Sequence, residues 1–110
     1  MNPDFLLYFN KKRQWVAIYF WDTHPNTFES WGGGRWAYYQ PSNRNGTGLF
    51  GEMHFVKSRV REDVFDHEKM HLLGDILRSK GLAWSTRNEE WLCNLSDSLT
   101  RQFWRNWRKL

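Results

Sequence analysis

Between Val60 and Leu77 the chain carries one apolar stripe at helical spacing, and two histidines stand in it. Val60, Val64, His67, Met70, His71, Leu73, Ile76 and Leu77 recur three or four residues apart, as one face of an α-helix requires. The helix is expected from about Arg61 to Ser79, with Lys80-Gly81 ending it through a glycine cap. Both histidines then lie on or beside the apolar face, turned inward. Helix positions four apart have Cβ atoms about 5–6 Å from each other. Two imidazoles so placed can reach one Zn²⁺ at about 2.0–2.1 Å each. Glu68 follows His67 and is not a ligand in such a site. It leans over the open position of the metal, where its carboxylate can take a proton from activated water. The same five residues, His67-Glu68-Lys69-Met70-His71, also suit a helix whose histidines are satisfied by hydrogen bonds and whose glutamate is solvated.

A catalytic zinc site usually takes three protein ligands and leaves the fourth position to water. A second apolar-periodic segment begins after eighteen residues that follow His71: Glu90-Trp91-Leu92-Cys93-Asn94-Leu95, continuing to Leu99 and Phe103. With His-Glu-x-x-His on one helix and a glutamate opening the next, the chain resembles the gluzincin branch of the zincin metallopeptidases. The resemblance implies that Glu90 is the third metal ligand beside His67 and His71, and that Glu68 is the general base of a zinc-dependent peptidase. Leu92 and Leu95 match apolar positions that follow the ligand glutamate in that family. Asn94 stands where the family often has an aspartate bonded to the first histidine. Glu89 fits the spacing less well and is the alternative ligand. A closer likeness, over roughly residues 49–105, is to the small zincin-like proteins encoded by bacteriophages. Lys69 departs from the motif, whose two variable positions are usually uncharged; beside a metal its ammonium would oppose the ion.

Other ligands fit less well. Gly74 matches the metzincin pattern, but the ligand position of that pattern is Leu77. Asp75 lies about 12 Å of helix rise beyond His67. It reads as a solvated helix charge, with orientation of His71 as the alternative. His54 reads as a cross-strand surface histidine and His24 as an exposed loop histidine. No spacing marks an oxyanion partner among Tyr38, Tyr39, His54 and Arg59.

Ahead of the helix the sequence reads as strands. Residues 4–9 suit a short strand or a helical turn, and Lys11-Lys12-Arg13 a polar turn. Gln14 to Trp21 is a strand of β-branched and aromatic residues, with large side chains on both faces that suggest covering on both. Asp22 to Gly34 is a loop ending in Gly32-Gly33-Gly34. A second strand is expected from Arg35 to Gln40, a turn around Asn45-Gly46, and a third strand from Leu49 to Lys57. Gly51 to Phe55 is the expected sheet edge along which an extended peptide substrate would pair. After Gly81, Thr86 or Asn88 is expected to cap the last helix, with Glu89 and Glu90 in its first turn. Acidic first turns also occur without any metal, because the helix dipole favours them.

The fold class expected is α+β: one zincin-like domain over residues 1–110, with a small antiparallel or mixed sheet followed by an active-site helix and a C-terminal helix. Eight tryptophans in 110 residues give so short a chain large side chains to bury. The single Cys93 excludes an internal disulfide, suits a reducing compartment and reads as a small buried residue. Pro3 and Asp4 do not resemble a secretory leader, and the longest apolar run, Val16 to Trp21, is too short to span a bilayer. A cytoplasmic protein is expected, in the host cytoplasm if phage-borne. The net charge of +4 permits attraction to polyanions without demanding it. Basic residues are interleaved with tryptophans from Arg101 to Leu110 and could contact the phosphates and stacked bases of nucleic acid; the favoured reading is that the helix dipole draws cations to the last turn while Trp104 and Trp107 cover the core. The alternative to the peptidase is a non-catalytic or metal-stabilised module that binds protein or nucleic acid.

Overall fold

The computed structural model describes residues 2–23, 36–42 and 48–110. Four strands come first: β1 (Phe5–Phe9), β2 (Gln14–Trp21), β3 (Ala37–Pro41) and β4 (Gly48–Val56). A short 3₁₀ turn (Lys57–Arg59) leads to two helices, α1 (Glu62–Ser79) and α2 (Thr86–Trp107). The fold is α+β, as expected. Residues 4–9 resolve as a strand, because each of Phe5–Phe9 finds an antiparallel partner in β2. His24, Gly32-Gly33-Gly34, Arg35 and Asn45-Gly46 lie outside the described residues.

The sheet is mixed, in the order β1-β2-β4-β3. β1 and β3 run antiparallel to their neighbours, whereas β2 and β4 are parallel. This corrects the placing of Gly51–Phe55 at an edge. Those residues pair with β2 on one side and β3 on the other, so their backbone has no room for a peptide strand. Among the described residues the end strands are β1 and β3.

Alternation sorts the side chains of β2. Val16, Ile18 and Phe20 enter the core with Leu7, Met53, Phe55 and the inner faces of both helices. Trp15, Tyr19 and Trp21, on the other face, are half-buried. A register shift between Trp15 and Val16 passes over Phe50, a β-bulge. It turns both Phe50 and Gly51 toward the core, where Phe50 meets Phe9 edge-on at 5.2 Å.

α1 lies over β3 and α2 over β1. The helices are antiparallel and clamped by Phe65 stacked on Phe103, 4.0 Å between centroids at 16°. α1 ends as expected at Gly81, whose φ of 67° suits a residue without Cβ. Gly81 N donates to Arg78 O and Leu82 N to Leu77 O, the paired bonds of a Schellman cap. The start of α2 differs from expectation. Its N-cap is Ser85, with no side-chain cap bond, and Asn88 Nδ2 instead donates to Ala83 O at 2.9 Å. Cys93 is exposed rather than buried, because Leu92 and Leu99 take the inward positions of α2. Among the described residues no helix is long and apolar enough to cross a membrane.

Candidate metal centre

α1 buries Phe65, Glu68, Leu72, Leu73, Asp75, Ile76 and Leu77. That face excludes His67 and His71, which are exposed. The expected inward turn of the histidines is therefore corrected. At 100° per residue the stripe drawn through them is one flank of α1, while Phe65, Leu72 and Ile76 hold the centre of the contact with the sheet and α2.

On that flank the two imidazoles converge. Their Nε2 atoms are 3.3 Å apart, with the rings edge to face and centroids 4.9 Å apart. Two nitrogens bound to a tetrahedral zinc at about 2.0–2.1 Å each stand about 3.3 Å from one another. The contact is a hydrogen bond between the two rings, the tautomer deciding which Nε2 donates, and it satisfies the histidines as the alternative reading of the motif expects; its length is also that between two ligands of one ion. An unprotonated Nε2 on each ring is the state that would bind it.

Glu68 is buried, 3% exposed, on the sheet-facing side next to the histidine flank. Lys69 points elsewhere. Its Nζ donates to Thr100 Oγ1 of α2 at 2.9 Å, stands 3.3 Å from Asp66 Oδ1 and lies 5.9 Å from the centre of the Phe65 ring. Two positions along a helix is nearly half a turn round it, so the ammonium faces α2 and not the histidines.

Glu90 is not brought to the pair. Lys69 meets Thr100 and Lys80 lies over Trp91, so antiparallel α2 passes His71 near Ser98 and reaches Glu90 only near Lys80. Nine residues of α1, about 13 Å of rise, separate the two levels. Glu90 and Glu89 are both exposed there. Among the described residues no three His, Cys, Asp or Glu side chains form a group that could hold a metal. Of the residues expected as ligands, His67 and His71 are brought together, and neither Glu90 nor Glu89 joins them.

Asp75 is buried, 7% exposed, which corrects its reading as a solvated charge. It accepts a 2.6 Å hydrogen bond from Tyr39 Oη, and Arg78 stands 3.9 Å from its other oxygen. The bond ties α1 to β3 and commits Tyr39, one of the candidate oxyanion partners, to a structural contact. Gly51 makes room for it: a Cβ there would stand 2.7 Å from Tyr39 Oη. Sequence reasoning missed this trio; only the pairing of Pro41 with Gly51 and Tyr39 with Met53 reveals it.

The other candidates lie apart. Arg59 caps the Trp36 ring at 4.5 Å. His54 is on the sheet face away from the helices, stacked on Tyr19 at 4.7 Å and 7°. Trp21 Nε1 donates to its Nδ1 at 3.1 Å. An indole nitrogen is only a donor, so Nε2 carries the proton in neutral His54 and donates it to Glu52 Oε2, 3.1 Å away. Burial, and then the Glu52 carboxylate, raises the Tyr19 phenol above its ordinary value near 10.

No family model, curated protein or solved structure matches the chain.

Proposed function

We propose that His67 and His71 hold a zinc ion and that the chain is a zinc-dependent hydrolase of peptide bonds, with Glu68 as its base. The observation that carries this reading is the 3.3 Å between the two Nε2 atoms, the spacing that two nitrogens on one tetrahedral zinc adopt. Lys69, the departure from the motif, is engaged with Thr100 and Asp66 and leaves the histidine flank free of its charge. When bound, zinc supplies Lewis acidity toward a carbonyl oxygen and makes water acidic enough to ionise near neutrality. The chain contributes two imidazoles that fix the ion, and a carboxylate one residue along that accepts a proton from the attacking water and returns it to the leaving amine.

A second reading is favoured by two placements: Glu68 is almost wholly buried, and Glu90 stands about two and a half turns of helix away from His71. In that reading the metal stabilises a binding module and no bond is cut.

Zinc content and turnover of an unfolded-peptide library, measured on the unmutated protein, His67→Ala, Glu90→Ala and Glu68→Gln, separate the readings. The peptidase requires zinc near one per chain, lost in His67→Ala. It also requires Glu68→Gln to keep the zinc while turnover falls about 10²-fold or more. Retention of zinc in Glu90→Ala removes Glu90 from the ligand set; its loss shows that the first turn of α2 closes on the pair. Zinc without turnover leaves the binding module, and no zinc refutes both.

A further inference from the structure

A groove between β1 and the C-terminal half of α2 has chemistry of its own. It encloses about 810 Å³, with Lys11 and Lys12 on one wall and Arg101 and Arg105 on the other. No acidic side chain lines it, and among the described residues none of the four cations forms an ion pair. Four like charges around one concavity repel one another and focus a field that draws in an anion.

The turn that presents the lysines is shaped against its own residue preferences. Arg13 N donates to Asn10 O at 3.0 Å, and the central residues Lys11 and Lys12 have φ of 55° and 66°. Asn10 has φ of 52° as well, so three successive residues of the four-residue connection between Phe9 and Gln14 lie in the left-handed region, which glycine and asparagine occupy most readily. The chain keeps two cationic side chains where its backbone favours glycine.

The opposite wall is held in place by Gln102. Its Oε1 accepts from Tyr8 N and its Nε2 donates to Tyr8 O, both at 2.8 Å, so the amide fastens α2 along the outer edge of β1. Arg101 and Arg105, one turn apart, are thereby set against the lysine turn across the groove. Phe5 and Leu95 give an apolar lining. Tyr8, 37% exposed, stands at the rim with Trp15 at 6.3 Å.

We infer that this groove binds single-stranded nucleic acid, its phosphates passing between the lysine turn and the α2 arginines. Cations along a track with an aromatic ring at its border are what a strand with unpaired bases uses. A duplex carries its phosphates on a convex surface and would meet one wall at a time. The inference is independent of the zinc reading, since it uses neither histidine.

The test is fluorescence anisotropy of the whole chain with a labelled oligothymidylate of about 20 nucleotides, from about 50 to 200 mM salt. Four contacts predict a log–log salt slope near −2.8, about a 50-fold loss over that range. Lys11→Asn/Lys12→Gly and Arg101→Gln/Arg105→Gln should each weaken binding about tenfold or more at low salt and shrink the slope by about 1.4. Asparagine and glycine suit the positive φ at these two positions, so an unchanged or raised Tm shows that the loss is not unfolding. The control Lys57→Gln/Arg87→Gln removes as much charge elsewhere and should change affinity less than about twofold. Equal weakening in the control, equal or tighter binding of a duplex, displacement by a polyglutamate of matched charge as effective as by unlabelled strand, or no binding at the lowest salt each overturns the inference.

Discussion

Replacing Gly51 by alanine tests how α1, the helix that carries both histidines, is held to the sheet. The new methyl group would lie 2.7 Å from Tyr39 Oη, 2.8 Å from Tyr39 Cε1 and 3.0 Å from the Gln40 carbonyl oxygen. Tyr39 is itself buried, so its ring must shift within the core and its hydroxyl must leave Asp75. A hydrogen bond to a charged group is worth about 1.5–3 kcal/mol, and 2.6 Å is the length of the stronger sort. Tyr39→Phe alone should therefore cost about 2 kcal/mol, or about 8 °C in Tm for a chain this size. Gly51→Ala adds overpacking of about 1–2 kcal/mol to the same lost bond, about 3–4 kcal/mol in all. In Tyr39→Phe the hydroxyl is already gone, so Gly51→Ala should then cost only the remaining 1–2 kcal/mol or so. Urea unfolding of the two single variants and the double variant, at unchanged m, gives the coupling, expected at about 2 kcal/mol. Additivity within about 0.5 kcal/mol would refute the argument, because the methyl group would then act without disturbing the Tyr39–Asp75 bond.

The difference between the absorbance titrations of the unmutated protein and Tyr19→Phe should place Tyr19 above its ordinary value near 10, and Glu52→Gln should lower it only in part, because burial is the larger cause. The folded state holds the Tyr19 proton longer than the unfolded chain, so its contribution to stability is whole below the unfolded pKa and lost as pH rises through the folded one. A loss unchanged in slope in Tyr19→Phe would assign it to another group. Gly81→Ala should cost about 1 kcal/mol, or about 4 °C in Tm: a Cβ there meets nothing within 4 Å but the backbone keeps φ at 67°, and an unchanged Tm would deny that the cap holds α1. Lys69→Met should leave zinc affinity within about threefold, since the ammonium faces Thr100 and not the histidines; a gain of tenfold or so would place the charge beside the metal.

The strands and helices were legible because each carries its own period. Gln14–Trp21 coincides with the expected strand, and α1 departs from expectation by one residue at its start. What joins them was less legible. Pairing β2 with β4 in parallel requires the chain to run out through β3 and back, and nothing in Leu49 to Lys57 distinguishes an edge strand from an inner one. The run of large residues on both faces of β2 is the nearest signal, since strands enclosed by neighbours tend to lack a polar face; β4 keeps Glu52 and His54 on its outer face and gives no such sign. The turn at Lys11-Lys12 was readable as a turn. Its left-handed geometry was not, because only Asn10 favours that geometry and the two lysines that share it do not.

The same division runs through the candidate site. The approach of His67 to His71 is a property of one helix, set by a separation of four residues, and it can be read from five letters. The distance from His71 to Glu90 belongs to two helices. It depends on how far α2 slides along α1, which the stack of Phe65 on Phe103 and the bond from Lys69 to Thr100 determine. A glutamate opening the second helix can serve a histidine pair on the first only if that slide puts the first turn of α2 beside it. Here the link through Leu82 and Trp84 lets α2 begin beyond the end of α1, and the aromatic stack pulls its C-terminal half, not its first turn, against the start of α1. Spacing along the chain placed Glu90 near the start of α2; packing between aromatic side chains decided the level at which it stands.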